Sequence, residues 1–153
     1  MNKIVFYFCF LMLFGCSGYE PLFSEKKTSF YIERIENVTG DYITRTISKN
    51  LNSNKLKSKD KNNYKLKITS ILLDKITSKD SKGNALTYEV SFDVVVSVFN
   101  DISDIPFNTF KLSDSFSYNN RENKFDLKQY KNNILKNALN KISQDIIIKL
   151  EAL

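Results

Sequence analysis

Histidine is absent from this 153-residue chain. That removes Ser-His-Asp and Cys-His nucleophilic catalysis and most zinc sites, all of which depend on imidazole. Cysteine is scarce: Cys9 and Cys16 are the two, both near the N-terminus. Glycine occurs four times and proline twice, and no Gly-rich phosphate-binding loop is among the glycines. No internal repeat and no low-complexity domain is present. Carboxylates at short spacing exist, such as Asp101 and Asp104, and spacing alone is compatible with a glycosidase-like pair. These two flank a loop beside Pro106, where solvated acids are the ordinary case. Asp41 and Asp126 read as helix caps. The sequence is therefore read as that of a non-enzyme with no metal and no cofactor.

What is present begins at the N-terminus. Lys3 is the only charge before Glu20, and residues 4–14 are an unbroken apolar run. A short positive region followed by such a run reads as a secretory signal peptide. It is too short for a transmembrane helix, which needs about 20 apolar residues. The run stops at Leu13-Phe14-Gly15-Cys16, which resembles the lipobox of bacterial lipoproteins, with Phe14 bulkier than the usual residue there. The resemblance implies cleavage after residue 15 and a covalent lipid on Cys16, whose thiol takes the diacylglyceryl group. An ordinary cleavage signal with an incidental Cys is the plainer alternative. The expected organisation is a signal peptide over residues 1–15, a lipid-anchored tether over 16–28 and one domain over 29–153. Cys9 leaves with the signal peptide, so no disulfide is possible and the core alone must stabilise the fold. By resemblance to other lipoproteins, Ser17 permits export to the outer membrane.

The formal net charge is +6. Cleavage loses only Lys3, leaving 22 basic against 17 acidic residues, or +5. Such a balance suits an anionic partner. The compartment argues against nucleic acid and leaves anionic lipid or lipopolysaccharide. The amino-acid bias of an AT-rich genome is the alternative source of the charge.

Residues 29–35 suit a short strand with Phe30 and Ile32 on one face. Turn chemistry over residues 37–41 offers Thr39 and Asp41 as N-caps. Ile43, Ile47 and Leu51 then recur every fourth residue, predicting a helix over about 41–55. After a Lys-rich connection, Tyr64, Leu66, Ile68 and Leu72 alternate with polar residues as a half-buried strand. Residues 78–84 signal a turn. Every even position from 86 to 98 is apolar, which makes 85–99 the clearest strand, and 107–118 forms another. Asp114 interrupts the apolar face of that last strand. Leu127, Tyr130, Ile134, Ala138, Ile142, Ile146 and Leu150, widened by Leu135 and Leu139, predict a helix over 126–151 capped by Asp126. The order β-α-β-β-β-α predicts an α+β fold: one antiparallel or mixed four-stranded sheet with both helices on one face. The face shared by Tyr88, Val90, Phe92 and Val94 is the one predicted to meet the helices.

The mature start, Cys16-Ser17-Gly18-Tyr19-Glu20-Pro21-Leu22-Phe23, resembles that of the lipopolysaccharide-assembly lipoproteins, the LptE family. The alternating strand after the turn at Gly83 is similar to the family's long strand. So are Ser115-Phe116-Ser117-Tyr118-Asn119 and the amphipathic helix that follows. Where the family often has Tyr-Ala at the start of that helix, Phe125-Asp126 stands here. The resemblance implies a non-enzymatic lipoprotein anchored at the outer membrane. It would plug the lumen of an LptD-type β-barrel translocon, support folding of that barrel and bind lipopolysaccharide. Another small envelope lipoprotein, such as an auxiliary subunit of a lipid-transport ABC system, is the alternative.

With the ligand implied by the resemblance, the residues must supply the site. Lys75, Lys79 and Lys82 lie between the second and third strands, and Arg121 and Lys124 follow the fourth. In a sequential antiparallel sheet these stretches share one end, so the five cations form a candidate basic patch for lipid A phosphates. Asp74, Asp80 and Glu122 lie among them and dilute it. A Lys-rich group over residues 55–67 competes, and two merely solvated turns are the plainer reading.

Overall fold

The computed structural model describes residues 30–53, 62–100 and 103–153. The predicted signal peptide, Cys16, the tether, the Lys55–Lys61 cluster and Asp101 lie outside the described residues. The chain order is β1 (Phe30–Asn37), α1 (Tyr42–Ser53), β2 (Asn62–Lys79), β3 (Ala85–Phe99), β4 (Asn108–Asn119) and α2 (Lys124–Glu151). The fold is α+β, with one four-stranded sheet in the order β1-β2-β3-β4. The sheet is mixed. β1 runs parallel to β2, and both later pairings are antiparallel. Parallel neighbours need a crossover, and α1 supplies it.

The α1 helix forms where its predicted stripe lies, and Ile43, Ile47 and Leu51 are all buried. Asp41 is its N-cap. One carboxylate oxygen accepts from the Thr44 N–H (2.8 Å) and the Thr44 hydroxyl (3.0 Å), and the other accepts from the Ser70 hydroxyl on β2. Gly40, just ahead of the cap, has φ +61°, a left-handed conformation that glycine adopts without Cβ strain. Thr39, the other cap candidate, instead accepts the Ser70 N–H. The cap residues thus tie the start of α1 to β2.

Both helices share one hydrophobic cluster with Phe30, Ile32, Leu66, Ile68, Phe92, Val94, Val96 and Val98, so they lie on one face of the sheet. The predicted face is the packed one: Val90, Phe92 and Val94 are buried and Tyr88 is half-buried. Each large aliphatic or aromatic side chain fully buried there contributes roughly 1.5–3 kcal/mol. Polar groups in the core are satisfied. The buried Ser143 hydroxyl donates to Leu139 O (2.7 Å) and accepts from the Asn50 amide on α1 (3.2 Å).

Three details depart from the sequence reading. The cap of α2 is Asn123, whose side chain accepts from the Phe125 N–H (2.9 Å), and Asp126 sits in the first turn instead. Asn at N-cap does the same work as Asp, so the sequence reading places the cap three residues late. The buried residues of α2 begin at Leu135, so its N-terminal third stands over the sheet outside the core. Leu72, assigned to the buried face of β2, is 44% exposed. β1 ends at Asn37, opposite Ile68, and α1 starts beside Ser70, so neither reaches Leu72. Asp114 is accommodated because β4 is the outer strand beneath α2. It accepts the Ser115 N–H (2.8 Å) and meets the Lys141 ammonium of α2 at 3.5 Å.

Candidate functional site

The tip of the sheet is built by the β2–β3 hairpin and the exit of β4. Asp80 organises the hairpin. Its carboxylate accepts from the Lys82 N–H (2.9 Å), the Asn84 N–H (2.8 Å) and the Asn84 amide (2.9 Å). The side-chain and backbone bonds from Asn84 hold the carboxyl below the usual carboxylate range, with smaller help from the Lys82 and Gly83 N–H groups. The oxygens are turned inward to the loop. The hairpin closes through Asp80 N–H to Asn84 O (2.8 Å), with Gly83 at φ +85°. This leaves Lys79 and Lys82 exposed, with no ion-pair partner among the described residues.

Asn120 fixes the second half of the tip. Its N–H donates to Leu86 O (2.7 Å) and its amide to Ala85 O (2.8 Å), locking the exit of β4 onto the start of β3. The Asn120 side-chain oxygen then accepts from the Arg121 N–H (3.0 Å) and the Lys124 ammonium (3.4 Å). The Arg121 guanidinium lies over the Tyr130 ring of α2, 4.1 Å from its centroid. Such stacking holds the planar cation while leaving donors at its edges.

Four of the five predicted cations thus belong to chain segments at one end of the sheet: Lys79 and Lys82 in the β2–β3 hairpin, Arg121 and Lys124 after β4. Lys75 does not join them. It lies inside β2, which runs on to Lys79, and pairs with its cross-strand neighbour Glu89 (3.4 Å). The strand continues because Lys75 and Ile76 pair with Glu89 and Tyr88 of β3, and after a shift Ser78 pairs with Thr87, where polar composition alone suggests an earlier turn. In the competing group, Lys65 and Lys67 face Glu33 (3.9 Å) and Glu36 (3.7 Å).

Sequence reading misses Lys131. It sits one residue off the α2 stripe and gives no periodic signal. Its ammonium bonds the Asp74 carboxylate on β2. Burial works against its charge, but the hydrogen bond to Asp74 and the phenol of Tyr118 outweigh that and hold its pKa above the ordinary lysine range. Tyr118 is stacked on Tyr88, with centroids 5.2 Å apart, and burial raises its own pKa. Asp74 is thereby removed as a free negative charge beside the tip.

No family model matches the chain, and no curated relative does. Solved structures do share its fold. Rare lipoprotein B from Shewanella oneidensis superposes with a TM-score of 0.57 at 18% identity, covering 80% of this chain and 93% of that one. Lipoprotein B from Nitrosomonas europaea gives 0.54 at 14% identity, covering 88% and 91%. A minor lipoprotein from Acinetobacter baumannii gives 0.54 at 15% identity, covering 80% and 90%. The likeness spans at least 80% of this chain and 90% of each neighbour and is one of fold.

Proposed function

We propose that this chain is a non-enzymatic envelope lipoprotein, anchored through Cys16 at the outer membrane, that serves lipopolysaccharide assembly. In this reading it occupies the lumen of an LptD-type β-barrel and receives lipid A phosphates at its tip. The observation that supports the ligand is that Lys79, Lys82, Arg121 and Lys124 sit on segments at one end of the sheet, organised by Asp80 and Asn120, with Asp74 paired to Lys131. Unpaired cations at a solvent-facing tip act on phosphates as point charges, and Arg121 adds a planar fork. The lipobox and the fold shared with three bacterial lipoproteins support the anchor and the compartment. A polar barrel lumen is a suitable host for a compact domain with a charged exterior.

Purification of the full chain from its membrane in mild detergent tests the reading. Recovery with a β-barrel protein supports it. Recovery with an ATPase complex instead would assign the chain to a lipid-transport ABC system.

A further inference from the structure

Residues paired directly across neighbouring strands share a face of the sheet. Asp74, Val90 and Phe116 form one row on the helix-bearing face, and Ile76, Tyr88 and Tyr118 form the next row toward the tip. α2 reaches Tyr118 through Lys131, but α1 begins back beside Ser70. The β2 and β3 part of the row nearer the tip is left open: Ile76 is 48% exposed and Tyr88 half-buried. Leu86 lies on the same face, one pleat further along β3, and is also 48% exposed. Stacking on Tyr118 fixes the Tyr88 ring. Together Ile76, Leu86 and Tyr88 make an apolar platform. Its inner border is a paired charge, Asp74 with Lys131. Its outer border is cationic. Leu86 O accepts the Asn120 N–H (2.7 Å), and the Asn120 side-chain oxygen accepts from the Lys124 ammonium (3.4 Å). Ile76 leads along β2 to Lys79.

We propose that this platform seats an acyl chain of a lipopolysaccharide molecule whose phosphates rest on the tip cations. The proposal rests on the function given above and adds an apolar half to its site. Complementarity argues for this occupant. Lipid A carries phosphates and acyl chains on one sugar backbone, and here ammonium groups border bare aliphatic side chains, linked through Asn120. A ligand with phosphates alone would leave Ile76 and Leu86 in water and gain nothing from them. An acyl chain in a polar barrel lumen needs apolar cover, and the platform supplies it at the place where the phosphates are held. Access is free from the side, because β1 pairs with β2 only as far as Asn37, opposite Ile68. The Asp74–Lys131 pair sets the inner limit, since an apolar chain laid over it would strip water from both charges.

Equilibrium binding to the full chain in mild detergent tests this with two probes: intact lipopolysaccharide, and lipopolysaccharide stripped of its acyl chains, which keeps the phosphates. The wild type is compared with Ile76→Thr, Leu86→Thr, the double variant, and Ile148→Thr, an exposed aliphatic on α2 away from the tip. Threonine suits a strand, and both platform sites are half-exposed, so the circular dichroism spectrum should not change. The wild type and Ile148→Thr are expected to prefer the intact probe by on the order of tenfold, the effect of burying about two methylenes. The double variant is expected to lose that preference and each single variant part of it, while all bind the stripped probe equally. A wild type that binds both probes alike overturns the platform and leaves the phosphate site standing. So do folded platform variants that keep the full preference. A wild type that binds neither probe removes the lipopolysaccharide reading itself, and the platform with it.

Discussion

The Lys131 ammonium on α2 bonds the Asp74 carboxylate on β2 and shares itself with the Tyr118 phenol on β4, so one side chain links the overhanging third of the helix to two strands. The pair is partly exposed, at 26% and 38% of the two side chains, so solvent screens it. A double-mutant cycle of Lys131→Met and Asp74→Asn is expected to give a coupling of about 0.2–1 kcal/mol. Because the Lys131 pKa is raised in the folded state, its contribution is fully present below the unfolded lysine value of about 10.4 and is lost as pH rises through the folded value. Urea unfolding from pH 7 to pH 11 checks this. A coupling that survives undiminished at the alkaline end contradicts it.

Asp41→Ala removes the α1 cap and strands the Ser70 hydroxyl. The expected loss is about 1 kcal/mol, within the 0.5–2 kcal/mol range of N-cap deletions. Burial opposes the Asp41 charge, but hydrogen bonds from Ser70, Thr44 and Thr39 prevail and lower its pKa below the usual carboxylate range. A lowered carboxyl contributes stability above its unfolded pKa, about 3.9, and loses it as pH falls through the folded value. The gap between wild type and Asp41→Ala in urea unfolding should therefore narrow below about pH 4. A constant gap down to pH 2 would show that the charge contributes nothing.

Phe92 is 2% exposed at the centre of the packed face. Phe92→Ala is expected to cost about 3–5 kcal/mol, from lost transfer energy and the cavity left behind. Denaturant unfolding measures it, and a loss under about 1 kcal/mol, typical of surface positions, would mean the core is organised elsewhere.

Cys16→Ser is expected to leave an unprocessed, unacylated precursor, because the thiol is the acyl acceptor. Intact-protein mass spectrometry reads both features. A wild-type N-terminus without lipid, or at any residue other than Cys16, sinks the anchor.

Charge reversal of Lys79, Lys82, Arg121 and Lys124 should weaken lipopolysaccharide binding by the purified chain much more than reversal of Lys55, Lys57, Lys59 and Lys61. Removing surface charge usually changes stability by less than about 0.5 kcal/mol, so a binding loss reads directly once circular dichroism shows an intact fold. Equal binding by the tip variant and the wild type would move the site, whatever the family.

The elements themselves are legible in the amino-acid pattern. Seven even apolar positions in 85–99 leave one period and one inward face; the strand is found, and the face is buried from Val90 to Val98, while Leu86 is 48% exposed. Ile43, Ile47 and Leu51 announce α1, and the apolar residues of 135–150 announce the packed part of α2. Periodicity reports burial, so it works wherever one face meets a core. It misleads where burial ends. Leu72 keeps the alternation although nothing covers it, and the stripe through Leu127 and Tyr130 runs on past the last buried turn of α2.

Local sequence, then, determined the order of elements, the core face and the two basic turns, because turn chemistry and hydrophobic period act between near neighbours in the chain. Only the tertiary structure decided which charges remain free. Lys75 meets Glu89 across a strand pair, and Lys131 meets Asp74 across 57 residues of chain. Asn120 reaches back to Ala85, which holds the segment of Arg121 and Lys124 at the hairpin end of the sheet. Ion pairing depends on distances of a few ångströms between residues far apart in sequence, and no local pattern encodes those distances.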